Sequence, residues 1–270
     1  MFTKLLKHEW RATRGTLGIL CLISLGASLM GGLTMRYLIG ASEQHTQHNL
    51  IVVLNVLGLV AAVIAVSIAG VAALVLLIGR FYKSRFTDEG YLTFTLPVNG
   101  HQILMTSIVT SVVEMIAICL AVVVSVLLMA FIGVSGVEGF WEEFPGAAAR
   151  FFQMLREAIG FRSVGYVLLG ILVMLSGLVG ESCVIMLSVS LGALVAKKHK
   201  ILLALLFYYL IHMAISVLSV GGLASLSFGV YLESMSYSMG LVITALGWLA
   251  IGAVCYFPTH YLITHRLNLP

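Results

Sequence analysis

Two carboxylates lie inside long apolar segments of the sequence. Glu114 is the one charged residue between Gln102 and Val137, and Glu181 is the one charged residue between Ser163 and Ala196. A charged side chain at the centre of a membrane helix costs about 2.5–3.5 kcal/mol on insertion scales, so it needs a cavity or a hydrogen-bonding partner. Each is therefore a candidate for a translocation path or a gate. The structural alternative is a protonated carboxyl bonded to a neighbouring helix.

Other residues with catalytic or metal-binding chemistry are scattered. His45 and His48 are separated by two residues in a polar loop, and two histidines are too few ligands for a metal site. His8 and Glu9 lack the second histidine of a zinc-protease motif. The sequence contains no GxxxxGK[ST] loop, no GxSxG motif, no CxxC pair and no cysteine–histidine cluster. We expect no catalytic residue, no metal and no cofactor bound by this chain, and we do not expect an enzyme.

A third candidate is the segment 80–101, which reads RFYKSRFTDEGYLTFTLPVNGH. Thr87 can cap a short helix whose first turn is acidic, and Pro97 would end that helix. Such a helix between two spans suits the docking of a cytoplasmic partner. The alternative is a helix that only lies on lipid headgroups.

The elements that position these residues are membrane-spanning helices. Hydrophobic residues make up 60% of the sequence and charged residues 10%, against about 25% charged in soluble domains. The apolar runs are continuous rather than alternating, which predicts helices and not a barrel. We predict an all-α membrane protein of six spans that together form a domain over residues 15–270. The predicted spans are approximately 15–36, 50–79, 102–134, 164–196, 201–221 and 238–263.

Lysine and arginine positions predict the orientation. Eleven of them fall on one side and four on the other, which predicts both termini inside. The inside set is Lys4, Lys7, Arg11, Arg14, Arg80, Lys83, Arg85, Lys197, Lys198, Lys200 and Arg266, and the outside set is Arg36, Arg150, Arg156 and Arg162.

Three segments outside the spans have patterns of their own. Residues 1–14 alternate basic and apolar residues at helical spacing, which predicts an amphipathic elbow helix on the inner leaflet. Residues 138–161 predict an amphipathic helix on the outer interface. Residues 221–237, rich in glycine and serine, predict a short re-entrant element.

Small residues recur at every fourth position in several predicted spans. Such ridges allow close helix packing, either within the chain or at a dimer seam. They are Ser28 with Gly32, Gly58 with Ala62, and Ser188 with Gly192 and Ala196.

The segment Asp88-Glu89-Gly90-Tyr91-Leu92, followed by Leu96-Pro97-Val98, resembles the acid–Gly–Thr/Tyr–Leu…Leu–Pro loop of ABC-2-type exporter permeases. In that family the loop follows the second span and contains a coupling helix that sits on the ATPase subunit. The six-span layout with a basic N-terminal helix is similar too, most of all to small Gram-positive permeases for peptide or drug export and immunity. One departure is at the start of the third span, where Thr106 and Ser107 stand instead of the family's basic residue.

The resemblance implies a permease subunit in a bacterial plasma membrane. It would bind membrane lipid, a second permease copy or a related permease, and cytoplasmic ABC ATPases that hold the ATP and Mg²⁺; no nucleic acid is implied. The cargo would be apolar or amphipathic, such as a peptide or drug. The implied docking residues are Arg80, Asp88, Glu89, Gly90, Tyr91, Leu92, Phe94 and Leu96. A secondary transporter or channel, and a membrane-embedded enzyme, are the alternatives.

Overall fold

Seven α-helices form the described part of the chain, for which we use a computed structural model. The description covers residues 2–43, 49–87, 90, 99–158, 161–195, 199–227 and 237–265. The helices are α1 (Phe2–Glu43), α2 (Asn49–Phe86), α3 (Gly100–Val134), α4 (Phe140–Ala158), α5 (Phe161–Val195), α6 (Lys200–Ser227) and α7 (Tyr237–His265).

Six of these helices are long and apolar enough to cross a membrane. Backbone amides and carbonyls have no water to bond inside a bilayer, so each apolar run satisfies them within its own helix. The prediction of an all-α, multi-pass membrane protein is confirmed. The six spans are Leu5–Ala41, Leu50–Phe86, Gly100–Val134, Val164–Val195, Lys200–Leu218 and Ser238–Thr264.

The helices extend beyond the predicted boundaries in several places. α1 runs without interruption from Phe2, so residues 2–14 are helical and continuous with the first span, while their role as an amphipathic helix on the inner leaflet stays a prediction. α2 continues to Phe86, which makes the first part of the predicted loop 80–101 helical. Residues 221–227 belong to α6, and residues 228–236 of the predicted re-entrant element lie outside the described residues.

α4 is the helix predicted within residues 138–161. Gly139, at a φ of 77°, leads into it with a backbone conformation that suits glycine. Glu142 and Glu143 lie in its first turn and Arg156 in its last, where each charge complements the helix dipole. The helix is confirmed, while its position on an outer interface stays a prediction.

The chain divides into two compact units, and packing within the second unit, Arg11–Val75 with Glu114–Ser163, depends on small residues. A Cβ added to Gly31 would lie 2.8 Å from the Cβ of Ala62, and one added to Gly58 would lie 2.9 Å from Cγ2 of Thr34. A Cβ added to Gly32 would lie 2.7 Å from the Cβ of Ile132 in α3. These predicted ridges therefore pack α1 against α2 and α3 within the chain.

The first unit contains Met1–Trp10, Leu76–Val113 and Val164–Pro270. Within it, a Cβ on Gly192 of α5 would lie 2.7 Å from the backbone nitrogen of Ala204 in α6. A Cβ on Gly180 would lie 2.8 Å from the carbonyl oxygen of Trp248 in α7. Glycine therefore lets α6 and α7 approach α5 closely. Glu181 is the residue after Gly180, at the contact between α5 and α7.

Candidate functional site

The structure describes residues 80–87, 90 and 99–101 of the predicted docking segment. Arg80 is a half-buried residue of α2, and Gly90 is buried. The other implied docking residues lie outside the described residues, and their role stays a prediction. They are Asp88, Glu89, Tyr91, Leu92, Phe94 and Leu96.

Gly90 lies against the end of α2. Its amide donates to the carbonyl of Thr87 at 2.7 Å, and a Cβ at this position would overlap the backbone carbonyl of Arg85. The Thr87 hydroxyl in turn donates to the carbonyl of Lys83, so this side chain closes α2. The close approach of position 90 to the end of α2 therefore leaves room for glycine and for no larger side chain.

Arg85 forms a buried charged network next to this turn. Its side chain is 1% exposed, and its Nη2 donates to Oε1 of Glu9 in α1 and, at 2.7 Å, to the hydroxyl of Ser107 in α3. The other Glu9 oxygen accepts a 3.2 Å hydrogen bond from Thr110. We call Glu9, Arg85, Ser107 and Thr110 the anchor network. It joins the first turns of α1, the end of α2 and the start of α3.

The energetics of the anchor network depend on mutual pairing. A buried ion is stable only when its partner and hydrogen bonds replace lost hydration, and removing one partner leaves an uncompensated charge. The Nε of Arg85 is also buried and has no acceptor among the described residues. The guanidinium therefore bridges three helices at a cost in desolvation.

Sequence reasoning missed this network. It used Arg85 only as a topological charge and Glu9 only to reject a protease motif. One signal was present, because Glu9 is the single acid among the first fourteen residues, in a segment that is otherwise basic. An acid at that place needs a specific cation, but the sequence does not say which one.

The start of α3 is held to α7 by a second contact. The Nδ1 of His101 lies 2.8 Å from the hydroxyl of Tyr256, and the His101 and His260 rings stack with centroids 3.9 Å apart. A Cβ on Gly100 would lie 3.1 Å from Cγ2 of Thr264. The segment between α2 and α3 thus begins at the anchor network and ends at this aromatic contact.

Glu181 lies with two side chains of α6. The Tyr208 hydroxyl donates to its Oε1, and Nε2 of His212 lies 3.1 Å from the same oxygen. The Tyr208 and His212 rings are 4.5 Å apart at their centroids. The carboxylate is 16% exposed and the imidazole 31% exposed. The hydrogen bonds to a neighbouring helix, which are part of the structural alternative for this residue, are therefore present at Glu181.

Glu114 is buried, at 3% exposure, in the second unit. It lies fourteen residues beyond the first residue of the 35-residue α3, near the middle of the helix. Its role in a path or gate stays a prediction. Groups of three or more His, Cys, Asp or Glu side chains able to hold a metal do not occur among the described residues.

Comparisons with protein-family models, with curated protein sequences and with solved structures find no match to this chain.

Proposed function

We propose that this chain is the transmembrane permease subunit of an ATP-driven exporter of the ABC-2 type. It pairs with a second permease and with cytoplasmic ATPases in a bacterial plasma membrane. The sequence has no nucleotide-binding loop, so the energy comes from a partner. Six spans and the segment Asp88–Val98 between α2 and α3 support this proposal.

The anchor network is the observation that carries the proposal. A docking loop transmits motion only if its ends are fixed to the helices that must move. One guanidinium, that of Arg85, bonds to Glu9 of α1 and to Ser107 of α3 at the point where the loop leaves α2. A force on the loop therefore acts on three helices together.

The anchor network also concerns the basic residue of the family pattern that this sequence lacks near the start of the third span. The resemblance leads us to expect a basic residue near the start of the third span, where this chain has Thr106 and Ser107. The Arg85 guanidinium donates to Ser107 at 2.7 Å. A positive charge therefore lies at this place, supplied by the end of α2 instead of by α3.

A secondary transporter is the second candidate, and the hydrogen-bonded cluster of Glu181, Tyr208 and His212 favours it. A carboxylate hydrogen-bonded to an imidazole and a phenol within the spans has the residue types from which the proton relays of transporters are built. In that case export would follow the proton gradient, and no ATPase would bind.

Capture of the affinity-tagged chain from its native membrane tests the first candidate. We expect an ATP-binding subunit to be retained. Replacing Tyr91 and Leu92 together by Ala removes two apolar anchors, worth about 2–4 kcal/mol at hot-spot magnitudes, or about thirty- to a thousandfold in affinity. The double variant should insert normally and lose the ATPase.

The matched control replaces two exposed aromatics of α4, Phe151 and Phe152, by Ala. This variant should retain the ATPase at the wild-type level. Equal retention by the Tyr91/Leu92 variant contradicts the docking role. Transport that continues in ATP-free vesicles and stops when a protonophore is added supports the secondary transporter.

A further inference from the structure

Glu181 is the one formal charge in three neighbouring membrane segments of the first unit. Residues 164–195 contain no other Asp, Glu, Lys or Arg, and residues 201–218 and 238–264 contain none. Without a fixed cation in these segments, an ionised Glu181 attracts positive charge and repels negative charge. In an apolar surrounding this preference is stronger than in water, because the dielectric constant is low.

The geometry leaves one carboxylate oxygen open. Both neighbouring donors, the Tyr208 hydroxyl and Nε2 of His212, approach Oε1. Oε2 makes no hydrogen bond to the described residues, and the side chain is not fully enclosed, at 16% exposure. The carboxylate is thus held in position by one oxygen while the other can accept a hydrogen bond from a ligand.

The surroundings suit a cation with an apolar body. The Tyr208 and His212 rings lie next to each other, with centroids 4.5 Å apart, and both hold Oε1 of the carboxylate. The carboxylate lies within a span that carries no other formal charge, and such an apolar surrounding suits the hydrocarbon chain of an amphipathic ligand. An ammonium group would also relieve the cost of an ionised carboxylate within the spans.

We infer that Glu181, Tyr208 and His212 form a recognition site for the ammonium or guanidinium group of an amphipathic cation. The inference deepens the proposed function by naming the substrate class, and it rests on that function only for the step of export. Binding itself needs no ATPase. A failure to bind a cation therefore leaves the docking proposal intact, and a failure to bind an ATPase leaves this site intact.

Trp248 provides a reporter for this site, because it packs against Gly180, the residue before Glu181. A variant with Trp10→Phe and Trp141→Phe retains this single tryptophan. The purified chain in lipid nanodiscs is titrated with a dansylated alkylamine and with the dansylated alcohol of the same chain length. Energy transfer from Trp248 to dansyl measures binding of each probe.

We expect the amine to bind about tenfold more tightly than the alcohol, the size of one charge-assisted hydrogen bond. Glu181→Gln should remove this preference, and the control Glu142→Gln in α4 should keep it. Equal affinities in the parent protein, or a preference that survives Glu181→Gln, overturn the inference.

A second measurement needs no variant. A hydrophobic carbodiimide is reacted with the parent protein, and the modification of Glu181 and Glu114 is quantified by mass spectrometry. A tertiary alkylamine, which can donate a hydrogen bond as its ammonium form but cannot form an amide with an activated carboxyl, should reduce the modification of Glu181 at least about fivefold and leave Glu114 unchanged, while the alcohol protects neither. Absence of amine-specific protection at Glu181 overturns the inference even if Glu181→Gln does not fold.

Discussion

Separate and joint replacement of Glu9 and Arg85 should show that the two residues stabilise the protein as a pair. Arg85→Met removes the donor to Glu9, to Ser107 and to the Ile103 carbonyl, and leaves Glu9 with Thr110. Both side chains are at least nine-tenths buried, so solvent screens the lost interaction little. Removing one partner of a buried ion pair costs about 3–5 kcal/mol. We expect Arg85→Met and Glu9→Leu each to lower the free energy of unfolding by this amount.

The double variant Glu9→Leu/Arg85→Met should be more stable than either single variant, because neither charge is left buried alone. Equilibrium unfolding in mixed micelles, followed by circular dichroism, gives the four free energies of the cycle. Glu157→Gln is the control, since that residue makes an exposed hydrogen bond to Gln153 on α4, and it should change stability by less than about 0.5 kcal/mol. A double variant as unstable as the sum of the singles would refute the coupling.

The other predictions concern orientation, the intramembrane acid and the loop glycine. In a cysteine-free protein, a cysteine at Lys198 should resist membrane-impermeant thiol reagents in intact cells and one at Glu143 should react; the reverse labelling would overturn the orientation. Glu181→Gln should leave ATPase capture unchanged and alter export, measured in inverted vesicles, and unchanged export would return this residue to a structural role. Gly90→Ala should lower the free energy of unfolding by about 1–3 kcal/mol, measured by thermal denaturation, because the added Cβ would overlap a backbone carbonyl. At the control position Gly79 an added Cβ would meet nothing within 4 Å, so Gly79→Ala should lower it by less than about 1 kcal/mol. Equal effects of the two substitutions would contradict the close packing of Gly90.

The spans could be predicted from the sequence because a bilayer imposes a length on each apolar run. That requirement is local. The amphipathic pattern of residues 138–161 is local as well, and it identified α4. Helix ends were predicted less well. α1 and α2 continue beyond the apolar runs because basic side chains are as compatible with a helix as apolar ones.

The pairing of polar residues between helices could not be predicted. Glu9 and Arg85 are separated by 76 positions, and their contact depends on which helices are neighbours. Tyr208 and His212 are four residues apart, so their common face was readable, but the helix facing them was not. Glu181 was therefore found as a candidate without its two partners.

A site-specific photocrosslink tests the central claim most directly. A photoreactive amino acid is placed at Phe94 in the loop between α2 and α3, with Phe144 of α4 as the control position, and cells are irradiated with the protein in its native membrane. Mass spectrometry then identifies the adducts. We expect an adduct with an ATP-binding subunit from position 94 and none from position 144. Adducts only with lipid from position 94, or an ATPase adduct from position 144 instead, would contradict the claim that this chain couples to an ATPase through that loop.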